Sequence, residues 1–126
     1  MKKILALVLA LVLGVSMVAC GEKTADKAPL EGTMEENTLK IMEIAPVEFM
    51  GGIMPVDLGD TSEDGKWALS YFTGLQDASA ITDVAVYESM MGSQAFSLVM
   101  VRTAEGADPK AVAEEMKAGI DPRKWI

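Results

Sequence analysis

Three stretches of this sequence bring together residue types that could do chemistry: the lone thiol of Cys20, the acidic run "DTSEDG" and the C-terminal cluster Arg123, Lys124 and Trp125. A single cysteine forms no internal disulfide, so its thiol serves as a nucleophile or as a point of attachment. In "DTSEDG", Asp60, Ser62 and Asp64 take calcium-loop positions one, three and five, with Gly65 at six. Position twelve, where such a loop needs a bidentate acid, is Tyr71, so the run reads as the polar start of a helix. Arg123, Lys124 and Trp125 make the only basic and aromatic cluster in an acidic chain, and Arg and Trp are favoured at binding hot spots. The competing reading buries Trp125 in the core and leaves the two cations to balance nearby carboxylates.

Other catalytic inventories are thin. The chain has no histidine, which removes the usual acid and base at neutral pH and the usual zinc ligand. No G-x-S-x-G elbow surrounds any serine. The pairs Glu35-Glu36 and Glu114-Glu115 are sequence neighbours, so on a helix they point to different parts of its surface. A glycosidase-like carboxylate pair would have to be gathered by folding. Ten methionines raise a copper reading, because thioethers favour Cu(I). Most of them, such as Met42, Met100 and Met116, stand at core-facing positions, which leaves Met50 with Met54, and Met90 with Met91, to cluster on loops. No phosphate-binding loop follows Gly51-Gly52. The inventory implies no cofactor and no metal site.

The surroundings of Cys20 decide between its two roles. Met1, Lys2 and Lys3 precede an almost wholly apolar run at residues 4–19, which is the plan of a secretory signal peptide. The run falls short of the roughly 20 residues of a permanent membrane helix. Ala19 before the cysteine and Gly21 after it resemble the lipobox of bacterial lipoproteins, with Met17 in place of the usual Leu. The resemblance implies a diacylglyceryl group on the Cys20 sulfur and removal of residues 1–19. Two acyl chains suffice for stable anchoring, at about 0.8 kcal/mol for each buried CH₂. The formal charge of −8 becomes more negative still when Lys2 and Lys3 leave with the signal. Such a surface repels nucleic acid and anionic headgroups, so no nucleic acid is expected as a partner, and the membrane is held through the lipid.

Residues 20–32 are small, polar and charged, with Pro29 and no hydrophobic period, and read as a tether reaching roughly 20 Å. Residues 33–126 are left for one domain. Thr33 and Glu36 form a capping-box pattern ahead of a helix whose face would carry Leu39 and Met42, with Met34 and Ile41, ending before Pro46. Residues 50–60 read as an irregular connection broken by Gly51, Gly52 and Pro55. A second helix is predicted over residues 63–72, its bulk supplied by Trp67, Leu69, Tyr71 and Phe72, with Gly74 at its end. A β-hairpin follows at about 83–103, turning around Gly92, and its second strand is apolar on both faces, as in an inner strand. Asp108 caps a third helix, with Pro109 first and Ala113, Met116 and Ile120 on one face. The fold class expected is α+β: a small antiparallel sheet packed against two or three helices. Trp125 and Ile126 then either dock back or mark the loss of a further C-terminal strand.

The stretches "APVEFMGGIMPVDLGDTSEDGKWALSYFTGL", "SQAFSLVMVR" and "AVAEEMKAGIDPRKWI" resemble a group of small bacterial lipoproteins of the anaerobic, Gram-positive type, distantly similar to an α+β domain-of-unknown-function family. The resemblance covers residues 45–126 and is strongest in "GIDPRKWI". It implies a cell-surface lipoprotein and supplies no catalytic residue. Members of that group continue beyond this segment into another strand, which implies that the present chain is truncated. The functional expectation is a non-catalytic binding or interaction module at the outer face of the membrane, taking an envelope protein or a small ligand. The alternatives are a carboxylate-dependent hydrolase of envelope glycan and a weak metal-binding protein.

Overall fold

The computed structural model describes residues 29–125. The chain divides into two units, Met1–Leu30 and Glu31–Ile126, and all the regular structure described lies in the second. Its elements run α1 (Met34–Ile44), β1 (Gly51–Met54), α2 (Glu63–Thr73), β2 (Ile81–Ser89), β3 (Ser97–Thr103), α3 (Pro109–Gly119) and a 3₁₀ turn (Pro122–Trp125). The fold is α+β, three helices on a three-stranded antiparallel sheet.

Each helix starts where local hydrogen bonding dictates. The Thr33 hydroxyl accepts from the Glu36 N–H at 3.1 Å while Glu36 Oε2 accepts from the Thr33 N–H at 2.9 Å, so two otherwise orphaned donors are satisfied. Ser62 Oγ accepts from the Gly65 N–H and Asp108 Oδ1 from the Lys110 N–H, with Pro109 in the first turn. Gly74 ends α2 in the left-handed region, at φ 80°. Replacing Thr33 by Ala removes the first of these caps and is expected to cost about 1 kcal/mol, read as a lower urea midpoint with an unchanged slope.

The sheet order is β1-β2-β3, so the expected hairpin is present but its second strand is not an inner one. β2 is central and β3 stands at an edge. The apolar character of β3 comes instead from helices above and below it. Residues 50–60 also contain a strand: Gly51–Met54 pairs with Val86–Ser89, where an irregular connection was expected. Glycines carry little strand preference of their own, and this strand exists because β2 offers it a ladder.

Pairing alternates the side chains between two faces. Val84, Val86 and Glu88 lie on one, opposite Val101, Val99 and Ser97, and Ala85 and Tyr87 on the other, opposite Met100 and Leu98. α2 and α3 cover the first face. There Leu69, Leu75, Ile81 and Val112 make the buried cluster, joined by Val84, Val101 and Met116. The α3 face is therefore Val112 and Met116, at i and i+4, and Ala113 is exposed. α1 covers the other face, where the Met34 N–H donates to Asp83 Oδ2 at 2.7 Å. Its buried residues are Met34 and Thr38, whereas Leu39 and Ile41 are exposed. The face of α1 turned inward is therefore the i, i+4 row through Met34 and Thr38.

Candidate functional site

Three elements built from distant sequence meet at the end of the first sheet face: the start of β3, the last turns of α3 and the 3₁₀ turn. Between them lies an open groove of about 260 Å³, lined by Ser97, Val99, Met116, Lys117, Ile120 and Trp125, with Thr73 at its base. The Thr73 hydroxyl donates to the Leu69 carbonyl at 2.6 Å and accepts from the Leu75 N–H at 3.0 Å, so its polar capacity is used within α2 and its cap. Ser97 Oγ is different: it is buried and has no hydrogen-bond partner. Lys117 is the one charged residue of the lining.

The 3₁₀ turn is fixed in place by Lys124. Its side chain is only 2% exposed and pairs with Glu88, itself 9% exposed. The Lys124 ammonium also donates to the Tyr71 carbonyl at 3.2 Å. It lies 4.8 Å from the Tyr71 ring centroid, 4.9 Å from that of Trp125 and 5.6 Å from that of Phe72. A buried charge needs a counter-charge and hydrogen bonds, and here it has both, with aromatic faces around it. Since Glu88 is the cross-strand partner of Ser97, the ion pair underlies the groove.

The three C-terminal residues singled out by sequence therefore part company. Lys124 faces inward, onto Glu88 and the Tyr71 carbonyl, and braces the turn from inside. The Arg123 guanidinium is turned back onto Asp121, with bonds of 2.9 and 2.8 Å, and these hold the Asp121 carboxyl down at about 2. Trp125 is half-buried and lines the groove, while the Arg123 side chain stays 82% exposed beside Asp121. Sequence reading missed Ser97, Val99 and Lys117 as members of one site. The signal available was the doubly apolar pattern of β3, which marks a strand whose surface has other work than facing water.

The remaining chemistry-bearing groups are placed as follows. Asp60 Oδ1 accepts from the Ser62 N–H at 2.9 Å and Ser62 caps α2, so these calcium-loop positions are occupied in building the helix start. A second cavity of about 170 Å³ has Asp57, Asp60 and Asp77 in its lining. Hydrogen bonds from Ser62 and from Ser79 lower the pKa of Asp60 and of Asp77 respectively. That is opposite to the raised value a general acid needs. Among the described residues no three of His, Cys, Asp and Glu gather as metal ligands. Met50 and Met90 do come together, through a 2.9 Å bond from the Met90 N–H to the Met50 carbonyl, and both side chains are exposed with that of Met91. Met54 lies further along β1 and is half-buried. On α2 the Trp67 and Tyr71 rings stack at 4.7 Å on the exposed side, so Trp67 does not supply core bulk. Cys20 and residues 1–19 lie outside the described residues, as does Ile126. Among the described residues no helix is long and apolar enough to cross a membrane.

Comparison of the chain with protein-family models, with curated proteins and with solved structures finds no match in any of the three.

Proposed function

We propose that this protein is a lipid-anchored module at the outer face of the membrane, whose folded domain binds a partner without catalysing a reaction. The observation that carries the reading is the lone Cys20, directly after Ala19 at the end of an apolar run that opens on two lysines. Acylation there, followed by removal of residues 1–19, leaves residues 20–32 as the tether and presents the domain to the envelope. The groove beside β3 gives such a domain a place to bind. It is apolar and open, with few polar groups to orient a partner, which suits recognition better than bond breaking. The hydrogen bonds that hold Asp60 and Asp77 toward the ionised form make neither suited to be the general acid of a glycan hydrolase, which needs a carboxyl held protonated.

The test is on the anchor. Cys20→Ser removes the sulfur to be acylated, and the expected result is a protein that lacks the acyl mass and keeps residues 1–19. An unmodified thiol on the native N-terminal peptide, or a Ser variant cut before position 20 like the native chain, would sink the reading.

A further inference from the structure

The hydrogen bonds of the sheet determine which groups of β3 face outward. Antiparallel partners alternate between pairs that exchange backbone bonds and pairs that do not. The Ser89 N–H donates to the Phe96 carbonyl, so Ser89 and Phe96 belong to the bonded kind. In the printed register Tyr87 with Leu98, and Ala85 with Met100, follow them. The intervening pairs, Glu88 with Ser97, Val86 with Val99 and Val84 with Val101, are then the unbonded kind. The other side of β2 agrees, since the Met90 N–H donates to the Met50 carbonyl and directs Glu88 and Val86 toward β1. Hence the N–H and C=O groups of Ser97, Val99 and Val101 point away from the sheet, and among the described residues they meet no partner. The edge carries neither proline nor charge over residues 97–101, and the register slips only beyond Val84, at Ile81 and Asp83. Those are the devices by which proteins blunt an edge.

We propose that β3 and the adjoining groove form a strand-addition site for an extended peptide with apolar residues at alternate positions and an acidic residue beside them. The inference deepens the binding-module reading and rests on it. Paired residues of neighbouring strands project to the same face, so a peptide residue opposite Val99 drops its side chain into the groove walled by Met116, Ile120 and Trp125. The residue opposite Ser97 lies next to the buried Oγ that has no partner, which selects Ser or Thr there. Lys117, the only charge in the lining, selects for a carboxylate on the peptide. Backbone bonds supply affinity along the edge; the groove, the hydroxyl and the ammonium supply the choice of sequence.

The probe is a displayed library of random heptapeptides selected against the full purified chain, with the selected peptides resynthesised and titrated. Alternating apolar residues with a neighbouring Asp or Glu are expected, together with slowed amide exchange at Val99 and Val101 on binding. Val99→Pro removes one outward N–H without touching the β2 ladder, a substitution that edge strands accept, and is expected to weaken binding roughly tenfold. Lys117→Glu, on the exposed side of α3, leaves folding intact and is expected to weaken acidic peptides at least threefold, less so at high salt. Selected peptides that both variants bind normally would overturn the site while leaving the module reading in place, as would failure to select any peptide. A dimer in sedimentation that Val99→Pro dissociates would assign the edge to a second copy of the chain and also overturn the peptide. The Cys20 experiment reports on the module reading independently of all these outcomes.

Discussion

Replacing Lys124 by Met is expected to destabilise the domain by about 3 to 5 kcal/mol, as much as truncating a fully buried core side chain. The reasoning begins with burial. Lys124 and Glu88 are 2% and 9% exposed, so neither charge is shared with water or screened by salt. Removing the ammonium leaves the Glu88 carboxylate desolvated beside Gly52 and Ser97, without its counter-charge. It also removes the donor to the Tyr71 carbonyl and the cation held between the Tyr71 and Trp125 rings. For a domain near 100 residues a loss of this size lowers the melting temperature by roughly 15 °C or more. The combined change Glu88→Leu with Lys124→Met removes both charges and is expected to recover most of the loss, because well-packed apolar pairs often match or exceed a buried ion pair. Urea unfolding of wild type, both single variants and the double variant gives the coupling directly. Single variants that lose less than about 1 kcal/mol would show that the pair does not brace the turn.

Why this pair escaped sequence reading is a matter of chain separation. Glu88 and Lys124 are 36 residues apart, and nothing local to "DPRKW" says that its lysine turns inward while its arginine turns out. Features decided within one turn of chain were legible. Thr33 and Asp108 cap their helices and Gly74 closes α2, because each acts on backbone groups no more than four residues away. The β2–β3 hairpin was legible for a similar reason, since alternation and a central Gly92 are local signals. What failed needed a partner supplied by the fold. Gly51–Met54 becomes a strand only against Val86–Ser89. β3, apolar on both faces, has the pattern of an inner strand, yet which strands flank it is a question of topology, and the answer places it at the edge. The groove falls in the same class. Trp125 stands out in the sequence, but Ser97, Val99 and Lys117 join it only through the packing of α3 on the sheet.

That packing depends on a backbone contact with no side chain in it, and Gly119→Ala is expected to break it. The α2 C-cap and the last residue of α3 meet at Gly74 and Gly119, where a Cβ added to Gly119 would overlap the Gly74 carbonyl. The mirror substitution is no easier. Gly74 has φ 80°, a region costly for residues with a Cβ, and its added Cβ would overlap the Met116 carbonyl. Backbone atoms have no rotamer by which to withdraw, so relief must come from shifting the end of α3. Overpacking with backbone displacement costs typically 1–3 kcal/mol, and about 3 kcal/mol is expected for Gly119→Ala. The displacement is also directional. Ile120 follows immediately and carries one wall of the groove, and the chain then leads through Asp121 into the turn that holds Lys124 and Trp125. Gly119→Ala is therefore expected to loosen Trp125 as well as to lower stability, whereas Thr33→Ala, on α1 and the other sheet face, lowers stability and leaves Trp125 unmoved. Quenching of the Trp125 fluorescence by acrylamide, read in a Trp67→Phe background, separates the two. Equal quenching in both variants would mean that the groove is held by the Lys124–Glu88 pair alone, and not by the close approach of the two helix ends.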